Sequence, residues 1–180
     1  MSIFTQRFIR ALKLDATLFE EVEADKGAIG QAMGVVIISS LAAGIGTIES
    51  GHLHGIIFGT GSALFGWVVW AVLTYFIGTK ILPESQTQAN QGEMLRTIGF
   101  ASAPGAIRIL GIIPGVVPMV FFIAGIWMLA AMVLAVRQAL DYQSTLRAVG
   151  VCFIGWIVQA VLLGLLFFFA APSPHAARYF

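Results

Sequence analysis

Charge is what this sequence has least of. Asp, Glu, Lys and Arg make up 11% of its 180 residues, against 58% hydrophobic. Soluble domains carry about 25% charged residues, and a soluble chain this size could not cover so much apolar surface. With a mean hydropathy of +0.91, the class is integral membrane, and one domain at most. The formal net charge of +1 provides no field to attract nucleic acid. A single cysteine, Cys152, excludes an internal disulfide. Histidine is also scarce: His52, His54 and His175 all fall in predicted loops or the tail. No serine sits in a G-x-S-x-G context and no paired-histidine helix motif occurs. Hydrolysis needs a nucleophile and a base that meet, so no enzyme and no cofactor are expected. The N-terminus lacks a compact apolar core before a small-residue cleavage site, so no removable signal peptide is expected.

What is present is a series of long apolar runs. They predict an all-α polytopic membrane protein with five transmembrane helices at about 28–48, 55–78, 94–113, 115–136 and 148–171. Short cytoplasmic helices in 1–27 precede them and a tail, 172–180, follows. In Ser2 to Leu14, Phe4, Phe8, Ala11 and Leu12 share one helical side, Arg7, Arg10 and Lys13 the other, and Ile3 is the misfit. Such a helix is expected to lie on an anionic leaflet; the alternative is a helix docked on the protein. Thr17 and Glu20 fit a capping box. It opens a helix carrying Glu20, Glu21 and Glu23, with Asp25 after it. That cluster is either a solvated face or a cytoplasmic docking surface for basic residues such as Lys80 or Arg96. Arg137 and Asp141, four apart in the polar link after the fourth span, join the docking candidates, in the less favourable orientation for a helical pair.

The first span holds the G-x-x-x-G of Gly30 and Gly34, and Gly55, Gly59 and Ala63 line one stripe of the second. Small residues let helices approach closely in lipid, so self-association through these faces is expected. Glu49, His52 and His54 form a weak E-x-x-H-x-H metal set; an interfacial polar loop is the reading preferred. Gln159, alone in the fifth span, is expected to bond a neighbouring helix.

The stretch Leu95 to Pro118 differs from the other spans. It carries Arg108, Pro104, Pro114 and Pro118 inside an apolar run, with Arg96 at its start. Lipid cannot satisfy the backbone groups that proline frees, and a charge at that depth needs a partner or water. The segment is therefore expected to be broken around Pro104-Gly105 and surrounded by the other spans. Twelve helical residues place Arg108 roughly 18 Å beyond Arg96, past the middle of a hydrocarbon core of about 30 Å. A pair with Glu49, at the end of the first span, and snorkelling to the outer surface are weighed equally. An anion site ranks below both.

With five spans and the N-terminus inside, Arg7, Arg10, Lys13, Lys26, Lys80, Arg96, Arg137 and Arg147 are inner, and only Arg108 and Arg178 outer, as the positive-inside rule asks. If 94–108 instead re-enters, the C-terminus changes side and the charge bias is equally strong.

Four stretches resemble bacterial members of the Yip1 family: A-L-K-L-D-A-T-L-F-E-E-V-E-A-D-K-G-A-I-G-Q-A from Ala11, Y-F-I-G-T-K from Tyr75, L-R-T-I-G-F-A-S-A-P-G from Leu95, and A-V-R-Q-A-L-D-Y-Q-S-T-L-R-A-V-G from Ala135. The resemblance implies five spans, with the N-terminus cytoplasmic and the C-terminus outside, here in a bacterial inner membrane. Eukaryotic relatives associate with Rab-type GTPases and with one another in vesicle traffic. Fewer than thirty residues precede the first span and the D-L-Y-G-P-type motif is absent, so Rab binding is not carried over. The function expected is membrane organisation or protein traffic, with homo-oligomers, other membrane proteins and the lipid bilayer as partners. The alternative is a small channel or transporter for an anion or other solute, using the third span and Arg108.

Overall fold

A computed structural model of the chain describes residues 1–47 and 53–170, whose regular secondary structure is all helical, with no strand among them. Its α-helices are α1 (Ile3–Leu12), α2 (Ala16–Ala24), α3 (Ile29–Gly46), α4 (Leu53–Phe76), α5 (Gln91–Ala101), α6 (Val117–Ala139) and α7 (Thr145–Ala170). Ser2 caps α1 by accepting from the Thr5 amide. The start of α2 differs from expectation: Asp15, not Thr17, is the N-cap, its carboxylate accepting from the Thr17 amide and hydroxyl at 3.0 and 2.8 Å. An ionised cap bonds amides more strongly than a hydroxyl does, so the helix begins two residues earlier.

Among the described residues, α3, α4, α6 and α7 are the four helices long and apolar enough to cross a membrane. The third apolar segment is not one of them. There the α-helix stops at Ala101, and Ala103–Ile112 continues as a 3-10 helix with Pro104 in its first turn. Proline has no amide to give an α-helical ladder, and a 3-10 run of this length is uncommon. Tertiary packing sustains it: the run lies against α3 on one side and α6 on the other.

Glycines set the approach to α3. A Cβ on Gly99 would stand 2.7 Å from that of Ala32; one on Gly105 would strike the Ser39 hydroxyl; one on Gly111 would stand 2.6 Å from the Gly46 carbonyl oxygen. Steps of six residues on one element thus match steps of seven on the other. The 3-10 rise of about 2.0 Å against about 1.5 Å for the α-helix accounts for the mismatch. The segment from α5 to Ile112 therefore runs parallel to α3, from the end of the bundle that carries α2 to the end where Gly46 lies.

Two buried clusters hold these elements. One joins Ala11, Leu18, Phe19 and Val22 of the N-terminal helices to Ala32 and Val35 of α3, Phe100 of α5, and Ala131 and Ala135 of α6. The other joins Ala71, Met94, Ile98, Val136, Leu140, Ala148 and Val151. At the end of α4 the helix widens into a π stretch, Ile77–Ile81. Gly78 lets Leu140 pack against it, and the Tyr142 hydroxyl donates there to the carbonyls of Gly78 and Leu82, at 2.9 and 2.7 Å.

Candidate functional site

Charge collects at the end of the bundle carrying α1 and α2. Arg7 is 4% exposed. Its guanidinium reaches Glu21 at 2.8 Å, Asp25 at 2.9 Å and the Gln31 side chain at 3.1 Å. Arg10 pairs with Asp15 at 2.7 Å and also with Glu21. The Arg7 guanidinium, helped by Arg10, holds the Glu21 carboxyl below its ordinary range; Arg10 does the same for Asp15 and Arg7 for Asp25. The apolar face of α1 is used internally too. Phe4, Phe8 and Leu12 pack on the core, and the Trp127 indole donates to the Leu12 carbonyl at 3.0 Å. Both faces of α1 are thus engaged by the protein rather than laid on a leaflet, which corrects the expectation of a surface-bound helix.

The carboxylates of α2 make no ion pair with Lys80 or Arg96 among the described residues. Arg96, 6% exposed, donates to the backbone carbonyls of Val22, at 2.8 Å, and Glu23. These carbonyls belong to the last turn of α2, where helix acceptors lack intrahelical partners. Lys80 is exposed and has no ion pair among the described residues. Glu20 accepts from the Gln138 side chain at 2.6 Å. Arg137 donates to the Tyr142 carbonyl at 3.2 Å and not to Asp141, because Asp141 takes a left-handed conformation, φ 54°, that ends the helix. Glu23, half-buried, has its pKa pushed up to about 7, first by burial and then by Asp141, Glu93 and Glu20 nearby. Asp141 is raised too, first by desolvation and then by Glu93 and Glu20.

Glu84 and Tyr142 were not singled out from the sequence. Glu84 accepts from the amides of Gln143 and Ser144, at 3.0 and 3.3 Å, and lies 3.6 Å from Arg147, tying the loop after α4 to the start of α7. Their only sequence signal is position: a lone acid and a tyrosine in two polar links otherwise rich in Gln and Ser.

A second polar group lies at the depth of the spans. A cavity of about 280 Å³ is lined by Ser39 and Ser40 of α3, Trp67 of α4, Ser102, Arg108 and Gln159 of α7, among others. The Arg108 guanidinium stands 5.3 Å from the centre of the Phe121 ring. Its Nε is buried with no hydrogen-bond partner. Glu49, its expected partner, and His52 lie outside the described residues, as does the side chain of His54; among the described residues no cluster of His, Cys, Asp or Glu could hold a metal ion. Gln159 makes none of the interhelical hydrogen bonds expected of it among the described residues and instead lines this cavity. Trp67 and Trp70 are satisfied elsewhere, by the Leu95 carbonyl at 3.0 Å and the Met132 sulfur at 3.3 Å.

Compared with known families, the chain matches the Yip1 domain over residues 16–169. The chain belongs to the Yip1 family. The match takes in α2 and every span of the Yip1 domain, while α1 lies outside it. No curated protein and no solved structure matches the chain.

Proposed function

We propose that this Yip1-domain protein is a non-enzymatic, self-associating membrane protein that works in membrane organisation or protein traffic. It crosses a bacterial cytoplasmic membrane five times, with the N-terminus in the cytoplasm and the C-terminus outside. The third crossing is α5 with its 3-10 continuation. Eleven α-helical and ten 3-10 residues extend about 16 and about 20 Å, enough for a core of about 30 Å, and they run beside α3 along its length.

One observation carries the association. Only 6% of the most apolar window of α4 is buried within the chain. Ile57, Phe58 and Phe65 stand out from it, and nothing lies near Gly59 or Gly61. Lipid alone could cover the aromatic side chains, but open glycines on a span are where a second helix packs closely. Gly34 and Gly44 are different: they face Phe4 and Ile56 within the chain. The test is Gly59→Cys in a Cys152→Ala background, oxidised in native membranes. A disulfide-linked dimer is expected; monomer only, with the thiol fully reactive, would contradict association through α4. The exposed Glu20, Lys80 and Asp141 are where another protein would be met at the charged end.

A second reading, passage of a small anion, draws on the unpartnered Arg108. Robust anion flux in liposomes that Arg108→Ala abolishes would favour it over the association reading.

A further inference from the structure

Three polar side chains, on three different elements, meet at the central cavity. Arg108 leaves its Nε buried and unsatisfied; Ser39, 4% exposed, adds a hydroxyl and Gln159 an amide to the same lining. Unmatched polar groups away from water each cost free energy, and a charge in the hydrocarbon region costs most. A buried, unbonded guanidinium donor with a hydroxyl and an amide in the same lining describes a site for something that accepts hydrogen bonds and carries negative charge. Phe121 covers only one face of the guanidinium, and a cation-π contact uses none of its N–H donors.

The surroundings of the cavity choose between possible anions. Two apolar grooves open from it on either side of α7. One, of about 850 Å³, runs along Ile57, Phe58 and Leu162 and shares Gly66 and Gln159 with the polar cavity. The other, of about 510 Å³, passes Leu129, Phe153 and Trp156 and shares Trp70, Met128 and Met132 with it. A free inorganic anion has no use for grooves of that kind. An amphiphile with an acidic head fits both parts.

We propose that the Arg108 cavity binds the acidic headgroup of a membrane lipid, whose chains lie in the groove past Leu129, Phe153 and Trp156, the face along Ile57 and Phe58 being left to a second copy of the chain. Arg108 supplies charge-assisted hydrogen bonds to the head's oxygens, and Gln159 and Ser39 complete the donor set. Water alone would fill the cavity, at about 30 Å³ per molecule, but would leave the charge uncompensated.

The test uses full-length protein in detergent micelles, titrated with dioleoylphosphatidylglycerol, dioleoylphosphatidylcholine or inorganic phosphate while thermal unfolding and lipid retention by native mass spectrometry are followed. The anionic lipid is expected to bind at least tenfold more tightly than the zwitterionic one, and to raise the unfolding midpoint. Arg108→Ala should remove that preference, a loss of about tenfold or more for one charged hydrogen-bonding partner, and Arg108→Lys should keep part of it. Should Arg108→Ala not fold, Gln159→Leu replaces it and should weaken anionic lipid several-fold while leaving the zwitterionic lipid unchanged. Equal binding of both lipids, a preference that Arg108→Ala does not remove or that Gln159→Leu leaves undiminished, or inorganic phosphate stabilising as well as the anionic lipid would each overturn the proposal.

Discussion

Arg96 shows how one residue can be located by chemistry and still be assigned the wrong partner. A cationic residue at the start of an apolar segment demands an acceptor, and the carboxylates of α2 are the obvious ones in the sequence. The acceptors used are backbone carbonyls, of Val22 and Glu23, and a carbonyl at a helix end has no signature in residue type. Arg96→Met leaves two buried helix-end carbonyls unbonded and is expected to cost about 2–4 kcal/mol, read as a lower unfolding midpoint in detergent. Glu23 makes a prediction of opposite character. Its pKa is raised from 4.5 to about 7 in the fold, so the fold favours the protonated form. That contribution is complete below pH 4.5 and is lost as pH rises through about 7. Glu21, Asp15 and Asp25 have lowered values and contribute above their ordinary range, with loss as pH falls below it. Stability should therefore be greatest at mildly acid pH. Glu23→Gln should flatten the decline towards neutrality, by about 1 kcal/mol once screening at a partly exposed group is allowed for. A wild-type unfolding midpoint that rises from pH 5 to pH 8 would contradict this.

At the scale of the elements, the apolar runs made the long helices legible, because periodicity and length survive in composition. The amphipathic pattern of α1 was legible too: Phe4, Phe8 and Leu12 do share a packed side, with Arg7 and Arg10 on the other. Which surface the helix meets was not, since leaflet and protein present the same combination of charge and apolar area. The peculiarity of the third segment could be read from Pro104 and Arg108, whereas its 3-10 conformation could not. That form exists because α3 and α6 enclose it, and tertiary enclosure leaves no local pattern. The π stretch at Ile77–Ile81 was invisible for the same reason. The glycines of the third segment provide the test at this scale. Gly105→Ala drives a methyl into the Ser39 hydroxyl, and Gly99→Ala one to 2.7 Å from the Ala32 Cβ. Each should destabilise by about 1–3 kcal/mol through overpacking. Gly125→Ala on α6, with nothing near it, should be neutral or slightly stabilising, because alanine favours a helix by up to about 1 kcal/mol. Unfolding midpoints of the three variants in one detergent make the comparison, and equal effects would show that the close approach to α3 does not matter.

For the whole molecule, the charged end and the central cavity divide the work. α1 and α2 lock the near ends of α3, α5 and α6 together through Arg7, Arg96 and Gln138, while α4 and α7 leave open faces to lipid or to a second copy. The cavity lies between those two regimes, with Arg108 on the tightly enclosed segment and Gln159 on the loosely held helix. All of this depends on the third segment passing from one side of the membrane to the other beside α3. Its direction follows from Arg96 meeting the end of α2 and Gly111 meeting Gly46. The direct measurement is labelling of single cysteines by a membrane-impermeant thiol reagent in sealed, oriented vesicles, at Ser85→Cys before α5 and Ile113→Cys after the 3-10 run, both exposed positions in a Cys152→Ala background. The two cysteines should label from opposite sides, with Ser85→Cys on the side of the N-terminus. Labelling of both from the same side would show that the segment re-enters rather than crosses, and would contradict the account.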